Sequence, residues 1–207
     1  LESEGLPGVG DAVEYIAELR QARDKSQVPV GRRVVVIGGG MTAIDIAVQS
    51  RRLGAEDVTI VYRRGPEQMG ASRFEQELAL RSGVRIRHWA RPVRLVGKDY
   101  VTRVELEYTR QDADGRLEGT GETFAVQADV VFKAIGQEID WDELGAASRV
   151  LRLRDGRIDV DAGRKTSLDN VWAGGDCVAG GQDLTVTAVQ DGKVAAQSID
   201  RWLRSNA

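Results

Sequence analysis

The stretch Val34-Val35-Val36-Ile37-Gly38-Gly39-Gly40-Met41-Thr42-Ala43 sets four β-branched residues directly before three glycines. An apolar run without alternation predicts a strand buried on both faces, as in a parallel sheet. A helical pattern follows from Thr42 through Leu53, and Gly54 ends it as a C′ glycine would. Val58 to Tyr62 reads as a second buried strand. Strand, glycine turn, helix and strand make a βαβ unit, for which a right-handed crossover is expected.

Gly38 to Ala43 has the pattern G-x-G-x-x-A, and its position between strand and helix gives the pattern weight. Gly38 allows a tight turn, Gly40 lets a pyrophosphate approach the backbone, and Ala43 permits close helix–strand packing. N–H groups of the first helical turn, at Met41 and Thr42, then face the diphosphate with help from the helix dipole. The competing reading is a glycine turn that serves only packing. The second strand ends Val61-Tyr62-Arg63-Arg64. An NAD site would place Asp or Glu there for the ribose 2′-hydroxyl, whereas guanidinium groups suit the 2′-phosphate of NADP. The competing reading leaves both arginines merely solvated at a strand end.

The rest of the chain supports an α/β fold. Asp11 to Arg23 predicts a helix capped by Asp11, followed by a loop over Lys25 to Gly31. Arg73 to Arg81 predicts a helix with Phe74, Leu78 and Leu80 apolar, stopped near Gly83, and Val84 to Arg87 a third strand. Val93 to Val96, Val101 to Tyr108 and Thr123 to Val126 alternate as antiparallel strands do, with Asp114-Gly115 as a turn. The arginines between Arg81 and Arg94 are expected along a solvated strand edge. Val130 to Ile135 reads as a buried strand, and Arg154-Asp155-Gly156-Arg157 as a turn between short strands. Val171 to Ala173 reads as a strand and Leu184 to Leu203 as a long helix. The expected organisation is a helix and linker over residues 1–30, a nucleotide-binding domain over 31–140 and a third segment over 141–207.

Composition narrows the function. With 207 residues, 42% hydrophobic and 29% charged, the chain can bury a substantial core. A net charge of −3 gives no electrostatic case for nucleic acid or an anionic membrane. No apolar run suffices to span a bilayer and no signal peptide opens the chain, so a cytoplasmic protein is expected. The single cysteine excludes an intrachain disulfide or cysteine-rich metal site, and the single histidine argues against a Ser-His-Asp triad. His88 reads as a surface or packing residue and Cys177 as a small core residue. Without a C-x-x-C, thioredoxin-reductase chemistry is not expected.

Two further features stand at strand ends. Ala134-Ile135-Gly136 can admit a ligand close to the backbone or can be a plain turn. Ala173-Gly174-Gly175-Asp176, followed by Thr185, Ala188 and Gly192, places a glycine pair and an acid before a helix. Asp176 could accept a hydroxyl hydrogen bond there, or simply stabilise its own turn.

Together, Val34 to Ala43, Thr59 to Arg64, Ala134-Ile135-Gly136-Gln137 and Ala173-Gly174-Gly175-Asp176-Cys177 resemble the small (beta) subunit of NADPH-dependent glutamate synthase. Dihydropyrimidine dehydrogenases and adrenodoxin-reductase-like flavoproteins carry the same module, and Asp183 to Lys193 is at least as similar to the dehydrogenase branch. The resemblance implies a Rossmann-like parallel sheet with an antiparallel meander, inserted into an FAD domain that supplies the C-terminal strand–helix segment. It implies that Gly38 to Ala43 with Arg63 and Arg64 hold NADPH, and that Arg73 lies near the adenosine phosphate. It further implies that Ile135 and Gly136 lie beside the nucleotides and that Gly175, Asp176 and Thr185 to Ala188 contact FAD. A hydride would pass from NADPH to FAD, and onward to a large catalytic subunit or iron–sulfur domain. Met41 stands where the family usually has Asn or Asp, and Met69-Gly70-Ala71 where it often has Met-Pro-Ala. The family's first glycine turn for FAD and its cluster cysteines have no counterpart here, so the chain is expected to be part of a longer flavoprotein, with an incomplete FAD site and any iron–sulfur clusters elsewhere. Other readings are an NADP(H)-binding module without turnover, the NAD(P)H-oxidising part of a dihydropyrimidine dehydrogenase, and a scaffold that binds neither nucleotide.

Overall fold

The computed structural model describes residues 4–206 apart from 138 and 140. They form two compact units that divide between Gly136 and Gln137. In chain order, the first unit contains β1 (Val9–Asp11), α1 (Ala12–Gln21), β2 (Arg33–Ile37), α2 (Met41–Arg52) and β3 (Asp57–Val61). It continues with α3 (Arg73–Arg81), β4 (Arg85–Arg87), β5 (Ala90–Gly97), β6 (Val101–Gln111), β7 (Leu117–Gln127) and β8 (Val130–Lys133).

Five strands make one parallel sheet in the order β1-β8-β2-β3-β4. The β-branched run of β2 lies in its centre, with Val34 to Ile37 all buried. Its side chains divide between two cores, as the two-residue period of a strand requires. Val34 and Val36 join Ala43, Ile44, Ile46 and Ala47 of α2, while Val35 and Ile37 join Leu95, Val104 and Leu106 of the antiparallel sheet β5-β6-β7. Alanines at 43 and 47 let α2 approach the sheet closely, and both are fully buried.

The N-terminal segment differs from the expected lead-in. Val9 to Asp11 pair in parallel with Val131 to Lys133, so the first residues complete the sheet edge. Asp11 then caps α1, its Oδ1 accepting from the Val13 and Glu14 N–H groups. The arginines from Arg85 to Arg94 are also not simply solvated. Arg85 pairs with Asp57, Arg91 with Glu107 and Arg94 with Glu105 across neighbouring strands. α3 buries only Ala79 and leaves Phe74, Leu78 and Leu80 exposed. The strand expected to reach Ile135 ends at Lys133, and Ile135 is 74% exposed.

In the second unit, β9 (Leu153–Arg154) and β10 (Arg157–Ile158) form the short hairpin expected around Asp155-Gly156. The expected strand over Val171 to Ala173 is only an isolated bridge from Trp172 to Lys165. Asn170 before it has φ 62°, a left-handed turn that breaks extended pairing. α4 (Thr185–Ser205) closes the unit, and Trp172 donates from Nε1 to Ser198 on it at 3.0 Å. Trp172 and Trp202 meet edge to face, and Lys165 lies over both rings.

Candidate functional site

The turn between β2 and α2 is shaped by contacts that exclude side chains at two of its glycines. Gly38 has φ 146°, and a Cβ there would overlap the carbonyl oxygen of Ala134. A Cβ on Gly39 would collide with the Tyr62 ring. Gly40 differs: a Cβ there would meet nothing within 4 Å. It is the N-cap of α2 and offers no side-chain bond to the helix N–H groups, and Met41 and Thr42 that follow it are half-buried. That combination suits a ligand oxygen, since the first N–H groups of a helix lack partners within the helix.

The loop after β3 is drawn to this turn. Tyr62 donates its hydroxyl to the Gln68 carbonyl, and Ala71 N–H donates to the Gly39 carbonyl at 3.0 Å. Gly65 N–H is held by Gln68 Oε1 at 2.9 Å. Directly after Ala71, Ser72 forms a capping box with Glu75, and Arg73 is the first residue of α3. Arg63, Arg64 and Arg73 thus stand at the same end of the sheet as Gly40. Their side chains have no carboxylate partner among the described residues, whereas Arg32, Arg33, Arg85, Arg91, Arg94 and Arg110 each reach one. Met69, on the same loop, lies 3.4 Å through its sulfur from Nε2 of His88, whose pKa burial pushes below the usual imidazole value. His88 itself is half-buried.

Ala134 abuts Gly38, which places Ile135 and Gly136 just beyond the glycine turn along the chain. In the second unit, Gly175 to Cys177 form one 3-10 turn. A Cβ on Gly175 would lie 3.5 Å from Cβ of Ala188, so the glycine turn and the first turn of α4 do come together. α4 starts at Thr185 without a side-chain cap. Asp176 is exposed, and with Cys177 it borders an open cleft of about 560 Å³ that is also lined by Gln137, Ile139, Trp141, Asp155, Gly156 and Arg157. Burial raises the Cys177 thiol pKa, and Sγ donates to the Gly174 carbonyl at 3.2 Å.

Four residues of these sites escape the sequence reading. Asp191 of α4 is buried, accepts from the Gly175 N–H at 2.9 Å, and pairs with Arg164 at 2.6 Å. The Gly175 N–H, foremost, and Arg164 hold its carboxyl below the usual value against the effect of burial. Thr109 and Trp89 hold the carbonyls of Arg63 and Arg64. None of the four has a local sequence signal, because each partner is distant along the chain.

A parallel sheet with a bare glycine turn, an open helix start and free cations past the next strand defines a dinucleotide-binding fold. Residues 2–192 match the pyridine nucleotide-disulphide oxidoreductase family, and the chain belongs to that family. It is 37% identical over 223 residues to the NADPH glutamate synthase small chain of Escherichia coli (strain K12), covering 98% of this chain and 47% of that protein. To the NADP(+)-dependent formate dehydrogenase subunit beta of Moorella thermoacetica it is 34% identical over 211 residues, covering 98% and 29%. The chain therefore spans half or less of the length of these curated relatives. In fold it is similar to Lactococcus lactis thioredoxin reductase, with a TM-score of 0.74 at 22% identity over 98% of this chain and 60% of that one.

Proposed function

We propose that this chain is the NADPH-binding part of a flavin-dependent oxidoreductase similar to the glutamate synthase small subunit. The observation that carries the proposal is the set of free guanidinium groups, Arg63, Arg64 and Arg73, beside the open turn at Gly40. A diphosphate fits against the N–H groups of Met41 and Thr42 because Gly40 leaves room there. Ala43, fully buried, keeps that helix start close to the sheet. Arg63 and Arg64 suit the adenosine 2′-phosphate, since a guanidinium donates paired, charge-assisted bonds to phosphate oxygens. Arg73 adds a third cation from the start of α3.

NADPH held there would supply a hydride, and FAD would accept it. Ile135 and Gly136 leave the sheet beside the turn, so they border the bound coenzyme. Gly175, Asp176 and the start of α4 from Thr185 to Ala188 offer one flank of an FAD site, with Asp176 facing hydroxyl groups. No side-chain acid or base is assigned, because hydride transfer depends on alignment of the two rings. A large catalytic subunit or iron–sulfur domain as partner belongs to the same proposal, supported by relatives that are named as subunits. A cytoplasmic setting is also part of it, supported by the single cysteine.

The test is calorimetric titration of NADPH, NADH and FAD, separately, into the wild-type chain and Arg63→Ala/Arg64→Ala. Loss of the two cations should weaken NADPH by about 10- to 100-fold and NADH by less than about threefold. Equal losses for both coenzymes would remove the 2′-phosphate assignment. Coenzyme binding without flavin binding would make the isolated chain a binding module.

A further inference from the structure

The geometry points to Thr109 as the residue that aims the Arg63–Arg64 pair, and so sets the preference for a coenzyme bearing a 2′-phosphate. This rests on the assignment of those arginines proposed above. In β6 the inward side chains are Val104 and Leu106, so strand alternation would bring Tyr108 inward next. Instead Tyr108 is 39% exposed and Thr109 only 5%. The phase slips where the pairing with β7 breaks: Glu107 faces Thr123, but Thr109 faces Gly119. A bulge of this kind re-aims a side chain.

The re-aimed threonine reaches the end of β3. Its Oγ1 donates to the Arg63 carbonyl at 2.7 Å, and its N–H donates to the Trp89 carbonyl at 2.9 Å. Trp89 N–H in turn donates to the Arg64 carbonyl at 3.2 Å. Trp89 adopts φ 55°, unusual for a bulky residue, and its indole lies against Gly65. The Arg63 carbonyl is thus tied directly to β6 and the Arg64 carbonyl to it through Trp89, although β3 itself ends at Val61. Fixing the peptide plane between Arg63 and Arg64 fixes the directions in which the two side chains leave the backbone. Without the hydroxyl, the Arg63 carbonyl is released and the two side chains lose these fixed starting directions.

The experiment compares NADPH and NADH dissociation constants, with melting temperatures, for wild type, Thr109→Val, Thr109→Ala, Thr109→Ser and Arg63→Ala/Arg64→Ala. Loss of the hydroxyl should cut the NADPH-over-NADH preference about tenfold with NADH binding unchanged, and Thr109→Ser should restore it to within about twofold. A residue that serves the fold alone would lower the melting temperature and weaken both coenzymes equally. If Thr109→Val does not fold, Thr109→Ala, which adds no methyl group, provides the measurement. An unchanged ratio in the folded variant, equal weakening of both coenzymes, failure of Thr109→Ser to restore the ratio, or unfolding of both hydroxyl-less variants would overturn the role of Thr109. Such a result beside a lost preference in Arg63→Ala/Arg64→Ala would leave the 2′-phosphate reading standing. A wild type without preference, or a double variant that keeps it, would end both.

Discussion

Asp191 shows how a single side chain can organise a turn far from it in sequence. It lies on α4, is 1% exposed, and joins the Gly175 N–H to the Arg164 guanidinium. The apolar spacing of α4 suggests that Val186 and Val189 face inward, yet both are exposed and the acid is buried. No local pattern announces this, because Arg164 is 27 residues away and only the fold brings it near. Removing the carboxylate strands a partly buried guanidinium, so Asp191→Ala should cost about 3 kcal/mol in urea denaturation. The same carboxyl gives a pH signature. Its pKa lies below its ordinary value of 3.8 in the folded chain, so its stabilising effect is present above that value and is lost as pH falls through the lowered one. Between about pH 5 and about pH 2, the stability advantage of wild type over Asp191→Asn should shrink, as measured by melts at each pH. A constant gap across that range would count against the ion pair.

The β2–α2 turn makes neighbouring glycines serve different ends. Gly38 needs both its positive φ and the absence of a Cβ, because the Ala134 carbonyl occupies that space. Gly38→Ala should therefore destabilise the chain by more than about 2 kcal/mol. Gly40 has φ −91° and open space, so Gly40→Ala should leave the melting temperature within about 2 °C. It should nevertheless weaken NADPH binding about tenfold, because the new methyl group fills the approach to the helix start. Thermal melts paired with titration separate the two effects. This element was legible in sequence because glycines punctuate a buried β-branched run, and both carry strong local preferences. The antiparallel strands were read too short for an opposite reason. Register shifts at Pro92/Arg94, Val96/Gly97 and Glu107/Thr109 break their alternation, and Leu117 to Glu122 is largely polar. The apolar residues of α3 suggested a covered face, but only Ala79 is buried.

At the scale of the molecule, the first unit contains the glycine turn, the arginines at 63, 64 and 73, and Thr109. Residues 1–136 alone should therefore retain the NADPH-over-NADH preference of the full chain to within about threefold, as measured by calorimetry. Loss of that preference would show that the second unit contributes to coenzyme choice. The sheet's edge was not legible in the sequence: Val9 to Asp11 is too short to announce a strand, and its partner β8 lies at the far end of the unit. The first unit contains one of the chain's four tryptophans, Trp89, with its indole against Gly65 just beyond the arginine pair. Once residues 1–136 stand alone, every photon of indole emission originates beside the proposed coenzyme site, so its quenching should time the arrival of NADPH without any attached dye.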